Sequence, residues 1–326
     1  MLKFQQVSPH CYAVLNEKNR LCDSNSGFIN SGGGAVIDTQ SDLAHARQLI
    51  ELLRVVSPSL PKYVINTHED IDHVGGNQLF EDAQIIGHKT LPDRIKEVAD
   101  PMRLQKLLHG VKGFWTRLLL KFLHPGLTAV GQQLGEDYNF DDMRVAPPTT
   151  LLDERHDLNL DGIEVQLIYV GPAHQMGDVI VHVPQERVVF SGDIIFQKCT
   201  PMGWVGTYEN WLKALDLIIA LNPESIVPGH GPVCSVEDAK RMKAYLNYVR
   251  AEAKKGFDQG LTSIDVAKRI DFRDFGEWHC PSRIYCNIER AYREFSGEPL
   301  DAPWQLPKVF DTIYHVARYR RLETVF

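Results

Sequence analysis

The sequence lacks several features that would assign it to a particular class of protein. No uninterrupted apolar run reaches the roughly 18 residues of a membrane-spanning helix, and residues 1–7 contain no apolar stretch of signal-peptide length. We therefore expect a soluble, cytoplasmic protein. Glycine-rich phosphate loops, Pro/Ser-rich linkers and internal repeats are also missing.

Cysteine pairs and positive charge are also scarce. The six cysteines form no CxxC pair, which argues against a disulfide framework and a thiolate zinc site, although Cys199 could face a pocket. Lys and Arg number 35 against 42 Asp and Glu, so the net charge of -7 argues against a nucleic-acid partner. With 326 residues, 44% of them hydrophobic, the chain is long enough for one large or two ordinary folded domains.

Apolar runs between turn residues predict strands in two successive rounds, each combined with helices. A helix over 43–53 is predicted by apolar residues at helical spacing after Ser41-Asp42, and another over 208–220. Residues 89–147 have helical periodicity and indicate an insertion, and the chain after 233 is mostly helical. This order predicts a layered α/β domain. The strands are predicted at 11–15, 27–30, 34–38, 63–66, 84–87, 162–170, 179–183, 187–191 and 225–227.

Ligand-type side chains are concentrated after one of these strands. Buried charges need a partner or a metal, so two histidines and three carboxylates within six residues favour a metal site over a solvated acidic loop. These residues are His68, Glu69, Asp70, Asp72 and His73.

Three later strand ends each add one residue of the same kind. His174, Asp193 and His230 all follow apolar strands and lie beside a glycine or proline that bends the chain. Imidazoles and carboxylates in near-equal number suit zinc, iron or manganese, and enough are present for two ions. The sequence therefore predicts a dinuclear metal site.

The ordered set His68-x-Asp70-x-Asp72-His73, followed by His174, Asp193 and His230, resembles the metallo-β-lactamase superfamily, whose signature is Thr-His-x-His-x-Asp-His-x-Gly-Gly with later His, Asp and His residues. The resemblance implies a four-layer αββα sandwich over 1–235 with the insertion at about 89–147, and a helical C-terminal extension over 236–326 packed on it. It also implies two metal sites: His68, Asp70 and His174 in the first, Asp72, His73 and His230 in the second, and Asp193 bridging them.

One position departs from the family signature. Asp70 stands where the family has its second histidine, and a carboxylate weakens the preference for zinc over iron or manganese. Zinc remains the favoured ion. The flavodiiron branch also has a carboxylate there, so the alternative is a diiron oxidoreductase that needs a separate electron donor. A metal-dependent binding protein without turnover is a third reading.

The leading prediction is a hydrolase of an ester, thioester, lactone or related bond in a small molecule. Two ions would lower the pKa of a bridging water to give a hydroxide nucleophile. Asp72 and Asp193 are the predicted catalytic residues, with Asp72 orienting this water. Residues 196–232, and the pattern from Arg283 to Arg293, are similar to a widespread, mostly uncharacterised bacterial group of such hydrolases.

Other residues receive subsidiary roles. The predicted substrate-binding residues are Met202, Trp204, Tyr208 and His279, and Glu69 is expected to be exposed. We expect Asn66 and Thr67 to brace the metal loop. The basic amphipathic stretch 104–127 is expected to be a lid or an oligomer face, with contact to a membrane surface as the less favoured alternative. Ordinary structural roles are expected for His10, His45, His88, His109, His124, His156, His182 and His315.

Overall fold

The computed structural model describes residues 2–102 and 114–323, and the side chains of residues 114–117 are not described. Within these residues the chain forms two sheets flanked by helices. None of the described helices is long and apolar enough to cross a lipid bilayer.

The first sheet has seven strands in chain order, antiparallel from β1 to β4 and parallel from β4 to β7. The second has five strands in the order β12-β11-β10-β9-β8, and all its pairs are antiparallel except β11 with β12. The strands are β1 (Leu2–Gln6), β2 (Cys11–Asn16), β3 (Ser26–Ile29), β4 (Ala35–Ile37), β5 (Tyr63–Ile65), β6 (Gln84–His88), β7 (Thr150–Leu152), β8 (Arg155–Leu160), β9 (Ile163–Tyr169), β10 (Val179–Val183), β11 (Val188–Phe196) and β12 (Ser225–His230).

The described helices flank the sheets, and several of them belong to the insertion or to the C-terminal extension. They are α1 (Leu43–Leu53), α2 (Ile71–Val74), α3 (Leu91–Val98), α4 (Phe114–Leu123), α5 (Pro125–Asp137), α6 (Tyr208–Leu221), α7 (Val236–Asp258), α8 (Ser263–Arg269), α9 (Ile284–Phe295) and α10 (Leu306–Arg320). The described part of the insertion between β6 and β7 contains the helices α3, α4 and α5, and residues 138–147 are not helical.

Apolar side chains from both sheets fill the space between them, and the outer faces are covered by helices. Ile65 of the first sheet and Phe190 of the second belong to one buried cluster. Leu49 of α1 packs against the outer face of the first sheet. Trp211 and Leu215 of α6 pack on the second sheet, in a core that continues into the C-terminal helices. The predicted αββα sandwich is therefore confirmed.

Helix α1 follows directly from its sequence. The side chain of Asp42 caps the N-terminus by accepting a hydrogen bond from the backbone N–H of His45 at 2.8 Å. The predicted apolar residues Ala46, Leu49 and Leu53 are buried on its inner face. Burial of a Leu side chain contributes roughly 1.5–3 kcal/mol, so this packing, more than intrinsic propensity, holds the helix.

One predicted strand needs correction, and three strands were missed. The predicted strand at 187–191 was expected to end before Asp193, but β11 continues to Phe196 because Ile194 and Ile195 are buried and the strand still pairs with β12. The pairing is irregular on both sides of Gly192, which has a positive φ of 49°. Asp193 therefore lies inside an irregular strand. Strands β1, β7 and β8 were not predicted.

Only part of the stretch 104–127 can be described. Residues 104–113, which include His109, lie outside the described residues. In α4, Leu118, Leu119 and Phe122 are exposed, the last to 83%. The following helix α5 packs on α10, where Asp311 accepts a hydrogen bond from the backbone N–H of Gly126. The insertion and the C-terminal extension are thus in contact, and the roles predicted for 104–127 stay predictions.

Candidate metal centre

Five elements bring the predicted ligands to one edge of the two sheets. The loop after β5 carries His68 and Asp70, and the short helix α2 that follows it carries Asp72 and His73. The loop between β9 and β10 carries His174. In the second sheet, Asp193 lies in the irregular part of β11, and His230 is the last residue of β12.

These side chains form two groups that share a carboxylate. In the first, Oδ2 of Asp70 lies 3.7 Å from Nε2 of His68 and 3.2 Å from Nε2 of His174. In the second, Oδ2 of Asp72 lies 3.6 Å from Nε2 of His73 and 3.5 Å from Nε2 of His230. Both groups of three could hold a metal ion.

Asp193 lies between the two groups. Its Oδ2 is 3.3 Å from Nε2 of His174 in the first group and 3.3 Å from Nε2 of His230 in the second. Its Oδ1 is 3.3 Å from Nε2 of His73. The resemblance implied that Asp193 bridges two ions, and this bridging role stays a prediction.

The separations fit metal ions better than hydrogen bonds. Charge-assisted hydrogen bonds between nitrogen and oxygen are about 2.7–2.9 Å long, whereas the contacts within and between the two groups span 3.2–3.9 Å. Ligand bonds of about 2.0–2.2 Å around a tetrahedral ion place neighbouring ligand atoms about 3.3–3.6 Å apart. The shortest contact, 3.2 Å, also meets the geometry of a weak hydrogen bond.

Buried atoms without partners support the same interpretation. Nε2 of His68, Nε2 of His73 and Oδ1 of Asp193 are buried and have no hydrogen-bond partner. Orphaned polar atoms of this kind are costly in a protein interior unless a ligand satisfies them. The donor set and its geometry therefore fit divalent cations.

Asp38 orients one of the imidazoles and was missed by the sequence prediction. Its Oδ2 lies 2.7 Å from Nδ1 of His73, an arrangement that places the proton on Nδ1 and leaves Nε2 free to bind an ion. Asp38 also accepts hydrogen bonds from the backbone N–H and the hydroxyl of Thr67. The sequence held one sign of this role. Asp38 ends a predicted strand, as the residues before several ligand-bearing loops do.

Asp178 shapes the loop that carries His174 and was also missed. It accepts hydrogen bonds from the backbone N–H groups of Ala173, His174 and Gln175 at 3.0, 2.7 and 2.9 Å. Gln175 in turn donates from Nε2 to Oδ1 of Asp70 at 2.7 Å. The other oxygen of Asp70 is thereby directed at His68 and His174.

Glu69 is fully buried, so the expectation of an exposed side chain was wrong. The chain around it is not extended, and strict alternation of side chains does not apply. Glu69 accepts hydrogen bonds from the backbone N–H groups of Met176 and Gly177, and from Nε of Arg94 at 3.3 Å. Burial raises the pKa of Glu69, and the neighbouring carboxylates of Asp70 and Asp178 add to the rise. Through these hydrogen bonds, Glu69 connects the loop after β5 to the loop that carries His174.

Asn66 and Thr67 brace the metal loop as expected. Asn66 donates from Nδ2 to the backbone oxygen of His73 at 3.4 Å and to the side chain of Asn77 at 3.1 Å. Thr67 reaches Asp38 through its hydroxyl at 2.7 Å.

The ligands carry opposite charges that perturb one another. Burial raises the pKa of Asp193, but the imidazoles of His230, His73 and His174 outweigh burial and hold this pKa well below its ordinary value. Burial lowers the pKa of His73, but the carboxylates of Asp193 and Asp72 outweigh it and raise the pKa well above normal. Binding of an ion by His73 would therefore compete with protonation of its imidazole.

The predicted substrate residues have different surroundings. Met202 is buried in the core. The backbone N–H of Trp204 donates to the carbonyl of His174 at 3.3 Å, so its loop adjoins the candidate site. The hydroxyl of Tyr208 donates to the carbonyl of Asn287 at 2.8 Å. His279 is half-buried, and its Nε2 has no partner. Cys199 is buried, and burial raises the pKa of its thiol to about 12.

Comparisons with known proteins agree with this fold. The family model of the metallo-beta-lactamase superfamily matches residues 19–230. The metallo-beta-lactamase type 2 of Bacteroides fragilis is 29% identical over 103 residues, which are 30% of this chain and 41% of that protein. Hydroxyacylglutathione hydrolase GloC of Haemophilus influenzae is 24% identical over 234 residues, 69% of this chain and 89% of that protein.

A solved structure shares the fold over a longer stretch. The inverting sec-alkylsulfatase Pisa1 from Pseudomonas sp. superposes with a TM-score of 0.65 at 15% identity, covering 94% of this chain and 52% of that one. The chain spans about half the length of several curated relatives that it matches. Because the family model covers well over half of the chain, and the fold and the ordered ligand residues agree with it, the protein belongs to the metallo-beta-lactamase superfamily.

Proposed function

We propose that the protein is a hydrolase of small molecules that uses two divalent metal ions, with zinc as the favoured ion and iron or manganese as alternatives. The observation that carries the proposal is the pair of ligand groups that share Asp193 at separations typical of coordinated atoms. Relatives described as a hydroxyacylglutathione hydrolase and a sec-alkylsulfatase support a hydrolase-type activity.

Ions held there would acidify a water molecule and polarise the bond to be cleaved. Two aspartates of the chain would position the ions and the water. Asp193 holds the two ligand groups at a set separation, and Asp72 lies between His73 and His230, where its carboxylate can orient the attacking water. The side chain of Asp70 is 20% exposed, whereas those of the other ligands are 8% exposed or less. We propose that substrate approaches from the side of Asp70 and that it is an ester, thioester or lactone.

A panel of chromogenic esters, thioesters, lactones and phosphodiesters tests this proposal with the metal-loaded protein. Asp72→Ala and Asp193→Ala should each lower kcat/KM by about 100-fold or more, the scale seen when an essential electrostatic group is removed. Asp157→Ala, an exposed aspartate on strand β8, is the control and should leave activity unchanged. Full activity in either site variant would exclude the proposed roles.

The second candidate is a diiron oxidoreductase, and Asp70 is the observation that favours it. A carboxylate in the first group supplies a harder oxygen ligand that suits iron. Two irons per chain together with dioxygen consumption and no hydrolysis in the panel would support this candidate. Turnover of any ester by the zinc-loaded protein would count against it.

A further inference from the structure

The segment before helix α9 contains a second concentration of buried polar atoms without partners. These atoms are Nε2 of His279, Oγ of Ser282, and Nε and Nη2 of Arg283. Ser282 is fully buried and Arg283 is 2% exposed. Unsatisfied atoms are rare in protein interiors, so four within five residues call for an explanation.

Arg283 is the unusual member of this group, because a buried guanidinium normally has a carboxylate partner. Among the described residues no Asp or Glu forms an ion pair with it, and its one recorded hydrogen bond runs from Nη1 to the sulfur of Cys199 at 3.3 Å. Burial raises the pKa of the Cys199 thiol to about 12, so the thiol is neutral and supplies no counter-charge.

Arg290, in the helix α9 that follows Arg283, is an arginine with a structural role. It is also buried, but both its Nε and its Nη2 donate to the backbone carbonyl of Gly206, the first at 2.6 Å. Two donors of the Arg290 guanidinium are therefore paired with the backbone. In Arg283 the same two donors, Nε and Nη2, have no hydrogen-bond partner among the described residues.

This segment runs alongside the chain that leaves the candidate metal centre. The backbone N–H of His279 donates to the carbonyl of Lys198 at 2.8 Å, and the N–H of Thr200 donates to the carbonyl of His279 at 2.9 Å. Just upstream, Phe196 stacks on the ligand His230 with ring centroids 4.9 Å apart. Only a few residues of backbone separate the two sites.

Arg283 and Asp72 both act electrostatically on one buried thiol. The thiol of Cys22 is buried; burial raises its pKa, the carboxylate of Asp72 raises it further, and the guanidinium of Arg283 lowers it. Cys22 is therefore near both groups. Two residues later, the hydroxyl of Ser24 donates to the backbone oxygen of Asp72. The loop over 22–24 therefore interacts with both Arg283 and Asp72.

We propose that Arg283, together with His279 and Ser282, forms a subsite for an oxyanion group of the substrate, so that the hydrolase acts on anionic substrates. The guanidinium fork matches the two oxygens of a carboxylate, and the imidazole and hydroxyl can complete the set of donors. The subsite precedes the N-terminus of α9, whose first turn contains no acidic side chain, so the helix dipole also favours an anion. Describing the anion as substrate rests on the proposed hydrolase function.

The kinetic test uses two esters with one leaving group, p-nitrophenyl butyrate and mono-p-nitrophenyl glutarate, with metal-loaded protein. Arg283→Met keeps the length of the side chain and removes the charge and the fork. It should raise KM for the glutarate ester about 10- to 100-fold, the range for a hydrogen bond to a charged group. The butyrate ester should change by less than about twofold. Arg290→Lys is the matched control and should not separate the two esters.

A binding test without turnover keeps the two proposals distinguishable. Glutarate should raise the Tm of the metal-loaded wild type, and this rise should shrink in Arg283→Met while the metal content stays unchanged. If neither ester is hydrolysed but the glutarate response depends on Arg283, the oxyanion site stands and the hydrolase proposal fails. If both esters are hydrolysed alike by wild type and variant and the glutarate response is unchanged, the oxyanion site is refuted and the hydrolase stands.

Two smaller substitutions decide the matter if Arg283→Met does not fold. His279→Asn and Ser282→Ala each remove one donor and should weaken the glutarate response about threefold. A lower Tm in both, with an undiminished response to glutarate, would mean that the segment has a structural role only and would overturn the proposal.

Discussion

Replacing Asp38 by Asn should weaken metal binding although Asp38 touches no ion. One carboxylate oxygen accepts from the backbone N–H of Thr67 at 2.8 Å, and the other lies 2.7 Å from Nδ1 of His73. An amide has one oxygen and one NH2 group, so it cannot accept on both sides. If the NH2 group faces His73, it donates to Nδ1 and moves the imidazole proton to Nε2, the atom that should bind the ion. If it faces Thr67, two donors collide.

The magnitude follows from these contacts. Loss of a carboxylate that orients a metal-binding histidine lowers metal affinity about 10- to 100-fold. Leaving a buried donor such as the N–H of Thr67 without a partner lowers the free energy of unfolding by about 1–3 kcal/mol. Asp38→Asn should therefore show both effects, and the loss of affinity should fall on the group that contains His73.

The assay is a competition titration of the metal against a chromogenic chelator, combined with urea unfolding of the metal-free protein. Asp42→Asn is the matched control, because Asp42 is equally buried and accepts from the backbone N–H groups of His45 and Asn139, and its hydrogen bonds involve none of the candidate ligands. It should lose stability and keep its metal affinity. Wild-type affinity in Asp38→Asn, or an equal loss in both variants, would refute the reasoning.

Three further predictions concern other parts of the molecule. Gly229→Ala should deplete metal, because a Cβ there would overlap Oδ1 of Asp193, whereas Gly260→Ala, with open space around it, should not; equal metal content in both would contradict this. Metal affinity should fall as the pH is lowered from 8 to 6, since the carboxylates outweigh burial and raise the pKa of the His73 and His174 imidazoles, and the same chelator titration measures it. Burial lowers the pKa of His88 from 6.5 to about 4, so the unfolded chain binds a proton that the folded one does not and stability falls as the pH drops through this window. His88→Phe, which retains an aromatic ring against Tyr169, should lose less unfolding free energy between pH 7 and 5 than the wild type in urea titrations, and an equal loss would contradict the assignment.

Strong local patterns were predictable from the sequence. Helix α1 has both a capping aspartate and a clear apolar spacing, and it occurs where predicted. Most strands predicted from apolar runs also formed. Strand β8 was not predicted because it lies at the edge of its sheet and is largely polar, with residues such as Arg155 and Asp157 facing solvent.

The candidate ligands were predictable, because histidines and aspartates follow predicted strands at bends of the chain. The residues that support them were not, because their roles depend on contacts between distant segments. Asp38 reaches His73 across 35 positions, and Glu69 reaches Gly177 across 108. A buried Glu or a lone arginine such as Arg283 has no local sequence signature, and only the folded chain identifies its partners or the lack of them.

The number of metal ions bound per chain tests the central claim most directly. Native mass spectrometry of the protein with excess zinc, after removal of loosely bound metal, should find two ions per chain in the wild type and at most one after Asp193→Ala, because this carboxylate contributes to both groups. A wild type that never binds more than one ion, or a variant that keeps two with undiminished affinity, would contradict the dinuclear site.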